Sequence, residues 1–262
     1  MNIVAIDIGN TNITIGLFLN DKEEFIDSIP GKSCEKLADC LKTTWDKIPV
    51  AKSSKEKKKD AVIVVSSVKP QWTKLIQQIV RDTLDEKIYI IGKDIPLPMT
   101  LWVNEPDKVG TDRIVAAAAA YAVVKDAVAV ADFGTAVTID LVDEHGVFQG
   151  GVIFPGLEIS ADALKKNTTQ LPKVEMKKPK EPYGKNTTEA INAGLYYSAI
   201  ATLQEVIRRY AEKIGKWPHT VLTGSAAELI KDDCEFIDSY VPNLVVKGIV
   251  LAYRKFIDEK AR

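Results

Sequence analysis

Ile3-Val4-Ala5-Ile6-Asp7-Ile8-Gly9-Asn10-Thr11-Asn12 decides how the chain is read. An apolar, strand-like run, Ile3 to Ile6, delivers an acidic residue to a glycine turn, and a β-rich stretch, Ile13 to Leu19, resumes beyond it. The pattern returns 125 positions later: Val128 to Ala131, then Asp132-Phe133-Gly134-Thr135, then Val137 to Val142. A carboxylate at a strand end can approach a metal-bound phosphate, and a glycine lets backbone N–H groups come close to phosphate oxygens. Two such turns imply a duplicated phosphate-handling domain, with nucleotide held where the halves face each other.

The 262 residues, 46% apolar and 27% charged, suit one large globular domain or two small ones. A net charge of −1 gives no basic field for nucleic acid or an acidic membrane. No basic-then-apolar leader precedes Asp7, and the longest apolar run, Ile114 to Val124, is too short and alanine-rich to span a bilayer. The expected location is the cytoplasm. Cys34, Cys40 and Cys234 lack metal or redox spacing and read as reduced thiols.

Outward from the first turn, Asn2 to Asp7, Asn12 to Leu19 and Glu23 to Ile29 read as strands. Ser33 is placed to cap a helix from Cys34 to Ile48. Lys52 to Asp60 reads as a solvated loop, since no aromatic residue interleaves its lysines. A strand, Ala61 to Ser66, a helix opened by Pro70, and a strand, Lys87 to Ile91, complete the first half. The second half repeats the order with strands Ala127 to Asp132, Val137 to Val142 and Val147 to Ile153, and a helix from Leu157. An irregular connection, Asn167 to Tyr183, leads to a helix, Thr188 to Ile214, capped by Asn186 or Thr187. Thr220 to Leu222 reads as a strand and Leu244 to Ile257 as the closing helix. This order resembles the α/β actin-like plan of acetate and sugar kinases: duplicated ribonuclease-H-like domains with a central cleft, here residues 1–115 and 116–262.

The first turn offers a carboxylate, a glycine, amides and a hydroxyl, a mixture suited to phosphates carried with a divalent cation, although the same residues also build ordinary turns. Gly110-Thr111-Asp112-Arg113, before the helix Ile114 to Val124, has two readings. Asp112 can accept a proton from a substrate hydroxyl while Arg113 grips an anion, or Asp112 caps the helix and Arg113 pairs with it. Gly150-Gly151 marks either a ligand approach or a bulge. Thr187 is a cap alone, or a cap that also faces substrate. Thr223-Gly224-Ser225 ends a strand where an adenine or ribose can lie. His145 and His219 read as turn and strand-edge residues.

These segments, together with Pro155-Gly156, Leu171-Pro172 and Gly184-Lys185-Asn186-Thr187, are similar to those of type III pantothenate kinases in the same order. The resemblance implies ATP-dependent phosphorylation of pantothenate to 4′-phosphopantothenate, the first committed step to coenzyme A. It implies Mg2+, a monovalent cation (K+ or NH4+), and a homodimer. Carried over by position, Asp112 is the catalytic base, and Gly110, Thr111, Arg113 and Thr187 contact pantothenate. Asp7, Ile8, Gly9, Asn10, Thr11, Asn12, Ile13 and Thr14 form the ATP phosphate loop, with Asp7 toward magnesium. Thr135 contacts ATP, and Asp132 is the monovalent-cation ligand. The dimer would use helices of the second half, where Leu195, Tyr196, Ala199 and Leu203 form a stripe that suits an interface or a core equally.

Two positions depart from the family pattern. Val103, with Trp102 beside it, stands where the family often has an aromatic residue, and Ser225 replaces a glycine. The first motivates an alternative acceptor, another small hydroxy acid or a sugar. A non-catalytic nucleotide-binding accessory protein is the other alternative, against which Asp112, Asp132 and Arg113 argue together.

Overall fold

A computed structural model describes residues 1–31, 33–50 and 58–261. The first sheet contains β1 (Ile3–Ile8), β2 (Asn12–Leu19), β3 (Lys22–Pro30), β4 (Val62–Ser67) and β5 (Ile88–Ile90), ordered β3-β2-β1-β4-β5. The second contains β6 (Val128–Phe133), β7 (Ala136–Val142), β8 (Phe148–Pro155), β9 (His219–Thr223) and β10 (Ser239–Tyr240), ordered β10-β9-β6-β7-β8. Read from β8, the second order is the first one again. In both sheets the central strand pairs antiparallel with its successor and parallel with the strand on its other side.

The duplication reaches irregularities. β2 and β3 slip register between Leu17 and Phe18, and β7 and β8 slip between Leu141 and Val142. Leu17 faces Val4 and Leu141 faces Ala129, each three residues before the strand's aspartate. Gln149 is the extra residue of the second slip and Gly150 flanks it, so a bulge lies beside the glycine pair.

The helices are α1 (Cys34–Asp46), α2 (Pro70–Leu84), α3 (Thr111–Val124), α4 (Leu157–Asn167), α5 (Thr187–Ile214), the short α6 (Ala227–Ile230) and α7 (Leu244–Lys260). Val4, Ile6 and Ile8 of β1 pack with Leu37, Leu41 and Trp45 of α1 and Ile76 and Val80 of α2. Ile3 and Ala5, on the opposite face, pack with Val115 of α3 and Val246, Ile249 and Val250 of α7. In the second sheet Ala129, Ala131 and Phe133 pack with Tyr196, Ala199, Leu203 and Ile207 of α5. The α5 stripe is therefore core rather than interface.

Two compact units result, and they are not the contiguous halves 1–115 and 116–262. Unit 1 is Met1–Met99, Glu105–Ala119 and Val245–Arg262; unit 2 is Thr100–Asn104 and Ala120–Leu244. The reason is α7, whose apolar face covers the first sheet although it lies at the far end of the sequence. Ser33 precedes α1 without a side-chain cap hydrogen bond. Most of the Lys52 to Asp60 stretch lies outside the described residues; Lys59 donates to the Ile48 carbonyl at 2.7 Å. Cys40 and Cys234 are free thiols, each pushed up by burial, Cys234 to about 11. Among the described residues no helix is long and apolar enough to cross a membrane.

Candidate active site

In unit 1, Asp7 stands at the carboxyl end of β1, paired with Thr14 of β2 and Ser66 of β4. It alternates with Ile3 and Ala5, so its side chain leaves the sheet on the α3 side. The Gly9 N–H donates to the Asn12 carbonyl at 3.1 Å and is spent within the turn. Ile8 and Ile13 are buried and can offer a ligand only main-chain groups, whereas Asn10, Thr11 and Asn12 are exposed. The Thr14 hydroxyl lies 3.3 Å from that of Ser28.

Thr111 joins this turn to the start of α3. Its hydroxyl lies 2.9 Å from the Ser66 hydroxyl and accepts the Ser67 N–H at 3.2 Å. Ser66 is the same residue that flanks Asp7, so the sequence-predicted turn and the Gly110–Arg113 segment are brought together at the end of β4. Asp112 is the second residue of α3, and its Oδ1 accepts the Arg113 N–H at 2.8 Å. It lies inside the first helical turn, so it is not the residue preceding the helix that the capping alternative requires. Burial raises its carboxyl above the ordinary aspartate value, and the N–H and charge of Arg113 offset only part of that rise. Gly110 is needed here: a Cβ would strike the Asp112 carboxylate and lie 3.3 Å from Val68.

Unit 2 repeats the arrangement with Asp132, paired with Thr138 and Thr223 and half-buried like Asp7. Gly224, at φ +101°, lets the chain after β9 run against the Asp132 carboxylate and the Phe133 backbone, where a Cβ has no room. Ser225 is exposed. Thr135 is exposed on its turn, and its carbonyl accepts the Gly156 N–H at 3.1 Å. Thr187 is not a cap. Asn186 caps α5, its side chain accepting the Glu189 N–H at 2.9 Å, and Thr187 is the exposed first residue of the helix. Trp102 is 76% exposed, and its backbone N–H donates to the Phe148 carbonyl at 2.8 Å.

Two features escaped the sequence reading. Gly31 donates to the Thr11 carbonyl at 3.0 Å, the counterpart of the Gly156 bond to Thr135. The signal was present: Pro30-Gly31 and Pro155-Gly156 both follow their aspartates by 23 and 24 residues. The second is Lys69, whose Nζ donates to the Asn10 carbonyl at 3.2 Å, a contact that only the folded chain creates. Among the described residues no group of three or more His, Cys, Asp or Glu could hold a metal ion.

Residues 3–209 match the family profile described as type III pantothenate kinase. The chain belongs to that family. A type III pantothenate kinase of Agathobacter rectalis is 36% identical over 257 residues, covering 97% of each chain. One of Syntrophotalea carbinolica is 33% identical, covering 96% of this chain and 98% of that protein. Among solved structures, a Campylobacter jejuni protein described as a Baf-family transcriptional activator superposes with a TM-score of 0.62 at 14% identity, covering 98% and 100% of the two chains. The activator of the Clostridium difficile 2-hydroxyisocaproyl-CoA dehydratase, with bound ADPNP, gives 0.50 at 11% identity, covering 100% and 97%. These two likenesses concern the fold, which is actin-like. Family membership makes the chain an ATP-dependent pantothenate kinase.

The lack of room for a Cβ at Gly110 beside the Asp112 carboxylate has a measurable consequence. Gly110→Ala must turn the carboxylate aside, and if that carboxylate acts on the reacting groups, a displacement of about 1 Å should cost on the order of a hundredfold in turnover. Steady-state kinetics on a variant with an unchanged melting temperature measures this; wild-type kcat would show that the carboxylate's position does not matter.

Proposed function

We propose that Asp112 is the general base in the transfer of the ATP γ-phosphoryl group to the primary alcohol of pantothenate. Asp112 takes the hydroxyl proton as the alkoxide oxygen forms its bond to the γ-phosphorus. The bond from that phosphorus to the bridging oxygen breaks, leaving ADP. The observation that carries this assignment is the half-buried Asp112 carboxylate in the first turn of α3, positioned by Gly110 and by the Thr111 link to β4. Its raised pKa makes it a stronger base than an exposed aspartate.

Gly110, Thr111, Arg113 and Thr187 are proposed to contact pantothenate. Since the Thr111 hydroxyl is engaged with Ser66 and Ser67, its part is to hold the segment in place. Arg113 suits the pantothenate carboxylate or the charge gathering on the phosphoryl group. Residues 7–14 and Thr135 are proposed to hold ATP, with Asp7 toward Mg2+, which would neutralise phosphate charge. Asp132 is proposed to hold K+ or NH4+, which would offset repulsion between its carboxylate and the phosphates. A cytoplasmic homodimer completes the proposal. With the α5 stripe spent on the core, a dimer would draw on exposed apolar residues of unit 2 such as Trp102, Val123, Ile153, Tyr183 and Trp217.

The decisive assay follows ADP release with ATP, Mg2+ and pantothenate, with and without K+. Asp112→Asn should bind ATP normally and lose about 100- to 10,000-fold in turnover. The base works only when ionised, so wild-type activity should fall as pH drops through the raised Asp112 pKa, above the ordinary aspartate range. Near-normal turnover in the variant, or an acidic limb that survives it, places the base elsewhere. Asp132→Ala should flatten the dependence of rate on K+, and an unaltered K+ response removes its assigned role. Light scattering that returns a monomer mass rejects the dimer.

A further inference from the structure

We propose that Lys69 is a ligand of the nucleotide's polyphosphate chain, its ammonium exchanging the Asn10 carbonyl for a phosphate oxygen when ATP binds. The inference rests on reading the Asp7–Thr14 turn as the phosphate site, and it supplies a cation that the turn lacks. Between Asp7 and Thr14 there is one carboxylate and no basic residue. A polyphosphate placed there meets a negative side chain and neutral donors, and a metal ion offsets only part of the repulsion.

Lys69 comes to the turn because β4 ends at Ser67 and Pro70 opens α2. Ser67 braces the step between them: its hydroxyl accepts the Lys69 N–H at 3.1 Å and the Thr73 hydroxyl at 2.6 Å. The Lys69 ammonium then donates to the Asn10 carbonyl at 3.2 Å and lies 3.4 Å from the centroid of the Trp72 ring. Trp72 in turn packs over Gly31, whose N–H is bonded to the Thr11 carbonyl. The lysine is thus aimed at the turn by a carbonyl and an indole face, and neither neutralises its charge. A phosphate oxygen is the stronger acceptor, because the bond is then charged on both sides. The duplicated frame provides an internal comparison. After β9 the corresponding segment, Gly224-Ser225-Ala226-Ala227, carries no charge. The lysine belongs to the repeat whose turn is assigned to the ATP phosphates and is missing from the repeat whose aspartate is assigned to a small cation.

The test is calorimetric binding of MgATP to the full-length wild type, Lys69→Met and Lys69→Arg, with pantothenate KM measured on the same samples. Methionine keeps the apolar stem and removes the charge; arginine keeps the charge. Lys69→Met should weaken MgATP binding about tenfold to a hundredfold, the range for a hydrogen bond to a charged group. Lys69→Arg should recover most of that loss, and pantothenate KM should stay at the wild-type value. The weakening of binding by added salt should also be shallower in Lys69→Met. Unaltered MgATP affinity in a folded Lys69→Met overturns the proposal and leaves the turn's role intact. A raised pantothenate KM with unaltered MgATP affinity also overturns it, assigning the lysine to the acid. A wild type that binds no MgATP overturns the reading of the turn, and the proposal with it.

Discussion

The central strand of each sheet is hydrogen-bonded along both edges up to its aspartate, and the rest of the structure depends on that restraint. Asp7 is held between Thr14 and Ser66, and Asp132 between Thr138 and Thr223. A carboxylate on a free loop could be pushed away by a neighbouring charge; one at the end of a doubly paired strand cannot retreat without breaking the ladder. Register is protected as well. A one-residue slip of β1 would exchange the residues facing α1 and α2 with those facing α3 and α7, and both layers are closely packed.

The two repeats share strand order, register slip and the Pro-Gly contact to the turn, but their surroundings differ. The end of β4 is braced by Thr111 and carries a lysine to its turn; the end of β9 is a glycine pressed against a carboxylate. These differences are confined to the ends of the strands. A common frame holds two acids alike, while the neighbouring segments give one a lysine and the other a closely packed glycine.

Much of this was legible in the chain because period and punctuation are local. The alternation in β1 and β6, the proline opening α2 and the aspartate–glycine turns need no tertiary information. β10 has only two residues and shows no period, so its sequence gave no strand signal. The stripe on α5 was visible, but whether it faces a sheet or a second chain depends on what covers it. Asp112 could be read as base or cap, since both use an aspartate near a helix start; only its place within the first turn separates them. Lys69 was invisible for a simpler reason. Its contact spans 59 residues, and nothing near it in sequence announces a phosphate turn.

The return of α7 to the first sheet bears on how the protein is made. Most of unit 2, Ala120–Leu244, is synthesised between the second and third segments of unit 1, and the face of β1 that meets Val115 of α3 is covered in full only once Val246, Ile249 and Val250 emerge. During translation the second sheet can close around α5 while the first still exposes Ile3, Ala5 and Val64. The repeat written second therefore has all of its residues available before the repeat written first does. The unit that carries both Asp7 and Asp112 thus has its core closed by the helix furthest from them in sequence.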